Sequence, residues 1–238
     1  MQVRNQSLPR SFRSVVLLGT RSLLLATFTL GLLFAAEAMP ANTPLIPPGL
    51  VGQMEARFGS GAGRHLQHWD RFIRVQTGGS AQQRLKRVNR YLNRVPFVED
   101  TAHWGVEDYW ATPVEFVASQ GGDCEDFVIA KLFTLQAVEI PPAQLRLMYV
   151  NALERNQAHM VLLYTPAPGV VPLVLDNLTN TVAPADQRKD LEPVYSFNSA
   201  GIWLQPLSAQ PQQVRDYSGS LMWEDLRRRL RSEGLDIY

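Results

Sequence analysis

Cys124 is the sole cysteine among 238 residues. It sits in Gly121-Gly122-Asp123-Cys124-Glu125-Asp126, where a helical pattern begins. A thiol attacks carbonyls only as thiolate. The start of a helix, with unsatisfied N–H groups and the positive dipole end, stabilises that form. The plainer reading is an inert cysteine in the core, a common state for a free thiol. His159 and Asp176 shift the balance. They lie on two segments that alternate like strands, joined by Pro166-Ala167-Pro168-Gly169. With those four residues as the loop, Thr165 faces Val170 and His159 faces Asp176. Directly opposed residues have Cβ atoms about 4.5–5.5 Å apart on one face. A carboxylate there takes one imidazole nitrogen, fixes the tautomer and leaves the other nitrogen free. Cys124, His159 and Asp176 then read as nucleophile, general base and orienter. A helix carrying Cys124 must pack on the face that bears His159. The register also requires a regular hairpin. Pro172 cannot donate to a ladder and signals a free edge or an irregular start.

The elements that would position these residues are legible. Thr112-Pro113-Val114-Glu115 is a capping box with proline at the first helical position. That helix stops at Gly121-Gly122. Asp123 can cap the next one, where Cys124, Phe127, Val128, Leu132 and Leu135 form one apolar stripe. Upstream, 68–76 and 80–93 carry helical periodicity. Downstream, strand patterns cover 145–151, 159–165 and 170–176. Trp104 to Trp110 is an aromatic and acidic loop, and Trp110 suits either the site or the core. Read from the residues alone, Asp123, Glu125 and Asp126 are an acidic first turn.

The N-terminus reads as an export signal, residues 1–38. Arg4, Arg10, Arg13 and Arg21 precede an apolar stretch, and Ala36-Glu37-Ala38 fits a cleavage site. An uncleaved anchor is the alternative. Residues 39–49 form a Pro-rich leader, and 50–238 a single domain with an N-terminal helical part. Loss of the signal removes four arginines and one glutamate, taking the formal charge from +1 to −2. That charge gives no footprint for nucleic acid.

Gly122-Asp123-Cys124-Glu125-Asp126, His159-Met160-Val161-Leu162 and Leu175-Asp176-Asn177 together resemble the bacterial transglutaminase-like cysteine proteinases. Trp110-Ala111-Thr112-Pro113 upstream and Arg188-Lys189-Asp190-Leu191 downstream extend the likeness, which runs from about Tyr91 to Trp203. The resemblance implies an α+β, papain-like or transglutaminase-like fold, with the nucleophile on a central helix against an antiparallel sheet. It implies calcium beside the cysteine, with Asp123, Glu125 and Asp126 as oxygen ligands. It implies a periplasmic endopeptidase that cuts a large adhesin near its N-terminus at paired alanines, releasing biofilm cells. It also implies a partner, the periplasmic domain of an inner-membrane cyclic di-GMP receptor, which holds the protease inactive. Two other readings stay open on these residues: acyl transfer to an amine, or a calcium-binding module with a vestigial triad.

Overall fold

A computed structural model describes residues 45–198, 201–204, 212–215 and 221–235. The export signal and most of the leader lie outside the described residues. The helices are α1 (Pro48–Phe58), α2 (Gly61–Val75), α3 (Ala81–Leu92), α4 (Asp100–His103), α5 (Pro113–Ser119), α6 (Cys124–Ala137) and α7 (Leu221–Ser232). The strands are β1 (Leu145–Ala152), β2 (Gln157–Tyr164), β3 (Leu173–Leu175), β4 (Ala183–Pro184), β5 (Leu191–Asn198), β6 (Gly201–Leu204) and β7 (Gln212–Arg215). They form one antiparallel sheet in the order β4-β3-β2-β1-β5-β6-β7. This is the expected α+β arrangement, with Cys124 heading a central helix laid against the sheet. Among the described residues, no helix is long and apolar enough to cross a membrane.

Local signals set the path into the site. Thr112 Oγ1 accepts from Glu115 N at 3.1 Å, and the Glu115 carboxylate accepts from Thr112 N at 2.9 Å. This box starts α5 with Pro113 in its first turn. The helix ends on Gln120, which takes a left-handed φ of 55°. Gly121 and Gly122 then pass through crowded space. A Cβ on Gly122 would lie 2.4 Å from Asp126 Oδ2, and one on Gly121 would lie 2.6 Å from the His103 ring. The turn is tied to the preceding loop by Val98 N donating to Gly122 O at 2.9 Å.

The single apolar stripe expected on α6 is too modest. Every residue from Asp126 to Leu135 is buried. Helices α3 and α5 cover one side, and β1 with β2 covers the other. Trp69 on α2 donates from Nε1 to Thr134 Oγ1 at 3.0 Å, pinning the two helices through an otherwise apolar core. Helix α1 has no counterpart among the expected elements. Pro48 and Gly49, counted with the leader, are its first residues. Trp110 is core, 2% exposed, and packs on Phe197 and Trp223.

The hairpin differs from the expected register. Strand β3 is only Leu173–Leu175, and Leu162 pairs with Leu175, Leu163 with Val174 and Tyr164 with Leu173. The connection therefore runs from Thr165 to Pro172, twice the length expected. The proline-rich stretch cannot enter the ladder, and Ala185 N instead donates to Pro172 O at 2.8 Å. The shift is two residues, so His159 and Asp176 keep the same parity and become diagonal neighbours rather than opposed ones. Asp176 lies just past the strand end. Regular alternation gives the helix-facing side of β2 to Met160, Leu162 and Tyr164. By the same alternation His159 falls with Val161 and Leu163 on the opposite face, so, contrary to expectation, it does not share the face on which α6 packs. It is the third residue of β2 and reaches the site near the start of the strand.

Candidate active site

Cys124 and His159 line one cavity of about 690 Å³, walled also by Asp123, Glu125, Tyr149 and Asn177. Cys124 is the first residue of α6 and partly exposed. His159 is 2% exposed, and Asp176 behind it is fully buried. His159 Nε2 donates to Asp176 Oδ1 at 2.8 Å. Leu178 N donates to the same oxygen at 3.0 Å, and Arg188 Nη2 donates to Oδ2 at 2.7 Å. Asn93 Nδ2 holds the Asp176 carbonyl at 2.9 Å. Burial alone would raise the Asp176 carboxyl. The His159 bond, the Leu178 amide and Arg188 outweigh it and hold the group well below the usual carboxylate range. Asp176 is thus ionised, and its bond to Nε2 leaves Nδ1 as the other nitrogen of His159.

The thiol departs from expectation. Cys124 Sγ donates to Glu125 Oε2 at 3.0 Å. Burial, then the charge and hydrogen bond of Glu125, push the thiol well above its ordinary pKa. The helix start alone does not produce a thiolate against such neighbours. Asp123 occupies the cap position of α6 but makes no side-chain cap bond. Its carboxyl is pushed up to about 10 by burial and by Glu125. Asp126 points inward and accepts from Ala111 N at 2.7 Å. Burial drives it well above the carboxylate range.

Two further acids join this cluster that sequence reading did not single out. Asp100, at the start of α4, accepts from Tyr109 N at 2.5 Å, and burial raises it to about 6. Asp108, on the loop, keeps a solvent-exposed side, yet partial desolvation of its carboxyl and then Glu125 raise it too. The acidic loop that bears Asp108 was visible, but only the fold brings it and Asp100 to the cysteine turn. Asp123 with Cys124 and Glu125, Asp100 with Asp123 and Asp126, and Asp100 with Asp108 and Glu125 each bring ligand atoms within 4.8 Å. Asp100 Oδ1, Asp123 Oδ1 and Asp126 Oδ2 are buried with no protein donor. Converging hard oxygens with unmet lone pairs fit a divalent cation of calcium type. A helix cap alone would not leave them so.

Lys131 is a second unforeseen feature. It is fully buried on α6, its Nζ has no hydrogen-bond partner, and it lies 5.6 Å from the Phe127 ring centroid. Burial lowers the ammonium to about 7, partly opposed by Asp176. Below pH 7 the folded and unfolded chains both carry this proton. Between pH 7 and 10.5 the folded chain sheds it while the unfolded chain keeps it. Stability should therefore rise through that window, by about 1.4 kcal/mol per pH unit from this group. Thermal unfolding of wild type and Lys131→Met from pH 6 to 9 checks it. The difference between the two should narrow as pH rises.

The family model of the bacterial transglutaminase-like cysteine proteinases matches residues 67–195. The calcium-bound LapG of Legionella pneumophila is 35% identical, with a TM-score of 0.65 over 76% of this chain and 98% of that one. The EGTA-treated form of LapG is 37% identical, with a TM-score of 0.66 over 79% of this chain and 100% of that one. Among curated proteins none matches.

Proposed function

We propose that this chain, which belongs to the bacterial transglutaminase-like cysteine proteinases, is a calcium-dependent endopeptidase of the periplasm that cuts a large adhesin near its N-terminus. The observation that carries this is the cavity shared by Cys124 and His159, with Asp176 bonded behind the imidazole at 2.8 Å. In this reading His159 Nδ1 takes the thiol proton as Sγ attacks the scissile carbonyl. The first N–H of α6, left without a helical partner, stabilises the oxyanion. His159 then returns the proton to the leaving amine. Water, deprotonated by the same nitrogen, releases the acyl group from sulfur.

Asp123, Glu125, Asp126, Asp100 and Asp108 would hold the calcium. The bound cation would place positive charge beside the thiol, against carboxylates that otherwise oppose a thiolate. The calcium-bound and EGTA-treated forms of the similar LapG support this assignment. The export signal supports the periplasm. Control by the periplasmic domain of an inner-membrane cyclic di-GMP receptor follows the family resemblance.

The test is incubation with calcium and an adhesin carrying paired alanines near its N-terminus, followed by N-terminal sequencing of the product. A new N-terminus within the paired alanines is expected. An intact adhesin, or an amine probe joined to it in place of hydrolysis, would overturn the reading.

A further inference from the structure

Asp176 sits past the end of β3, so no ladder partner fixes its side chain. Something else must set the plane of its carboxylate. Oδ1 serves His159 and Leu178 N, and Oδ2 accepts only from Arg188 Nη2, at 2.7 Å. Arg188 is itself held. Its Nε donates to Asp190 Oδ1 at 2.8 Å and its Nη2 to Asp190 Oδ2 at 2.6 Å. That is a two-bond fork on one carboxylate, a geometry a lysine cannot copy. The backbone is tied on both sides, with Arg188 N donating to Ala185 O and Leu191 N to Arg188 O, each at 3.2 Å. The Arg188 side chain is 10% exposed.

Arg188 does not line the cavity of Cys124. It lines a neighbouring one of about 330 Å³ with Asp190 and Thr179. Its link to Cys124 and His159 runs through its bond to Asp176.

We propose that Arg188, anchored by Asp190, is a positioning residue for the hydrolysis. It orients the Asp176 carboxylate so that Oδ1 meets His159 Nε2, and so keeps the imidazole in the Nε2–H form with Nδ1 free. This rests on the reading of Cys124, His159 and Asp176 as the catalytic groups. A merely structural ion pair would tie residues 176–190 together without setting that tautomer.

Nitrogen-15 NMR of the imidazoles in the full chain reads the tautomer directly. The four histidines can be told apart by comparison with His159→Ala. Wild-type His159 should show a single Nε2–H form, and Arg188→Gln a mixture of both. On a fluorogenic peptide with central paired alanines, Arg188→Gln should lower kcat roughly 10- to 100-fold, the scale of a small misplacement, while KM stays within about twofold. Added guanidinium, entering through the neighbouring cavity, should restore part of the activity of Arg188→Ala, and ammonium should not. If Arg188→Gln fails to fold, Arg188→Lys keeps the charge without the fork. It should show the same tautomer mixing with a smaller loss of kcat. A folded Arg188→Gln with an unchanged tautomer and kcat within twofold of wild type would overturn the proposal. A wild-type protein that cuts no such peptide, yet shows the tautomer change, would strike the catalytic reading and leave the clamp standing.

Discussion

Replacing Cys124 with alanine is expected to abolish proteolysis and leave the fold intact. The residue heads α6 and is only partly buried, so the substitution opens no core cavity. It removes the sole thiol in the chain. Loss of a covalent nucleophile costs on the order of 10⁶ in kcat where the remaining groups act only with it. His159→Ala should fall to a similar floor, because a thiol without its base is protonated at neutral pH. The double variant should be no worse than either single one, since the groups act as a unit. Asp176→Ala should also be severely impaired. It also leaves Arg188 facing an empty position, so its stability must be measured beside its activity.

The second large effect concerns calcium. Exhaustive chelation should remove activity, added calcium should restore it, and magnesium should substitute poorly because it demands tight octahedral geometry. Asp123→Asn is the sharpest variant. It replaces a carboxyl that burial and Glu125 push up to about 10, so the group is neutral without the cation and only the calcium-bound form loses a carboxylate charge. The apo protein should therefore lose little stability, or gain some, while calcium affinity drops. In wild type, calcium at 1,000 times its dissociation constant should add about 4 kcal/mol to unfolding stability. Thermal melts with and without calcium read this without any substrate. Equal melts in both conditions, with full activity after chelation, would reduce the five carboxylates to an acidic turn.

Much of the positioning was legible because it is local. The Thr112–Glu115 box and the helix beginning at Cys124 depend on neighbours a few residues apart, and both formed as read. The His159–Asp176 bond also formed, but by a different register. Alternation constrains the parity of a strand far better than its length, and residues 170–172 stayed outside the ladder. The full burial of α6 was not legible, since periodicity reports one face and cannot show a second layer of helices. Asp100 and Lys131 were missed for a related reason, and Asp108 and Arg188 stood out only as part of an acidic loop and of a family motif, with no role attached. Each matters through a contact with a distant part of the chain, such as Arg188 with Asp176 or Asp100 with the Asp123 turn. Trp110 shows the reverse: its sequence neighbourhood allowed a place in the site, and packing on Phe197 and Trp223 put it in the core.

The central claim is that Cys124 is a nucleophile made competent by His159. Intact-mass spectrometry after treatment with an electrophilic peptide, an alanyl-alanine chloromethyl ketone, tests it most directly. Wild type with calcium should gain one adduct, and fragment analysis should place it on Cys124. His159→Ala should gain it far more slowly, and Cys124→Ala not at all. An adduct on another residue, or continued proteolysis by a protein whose Cys124 is fully labelled, would contradict the account.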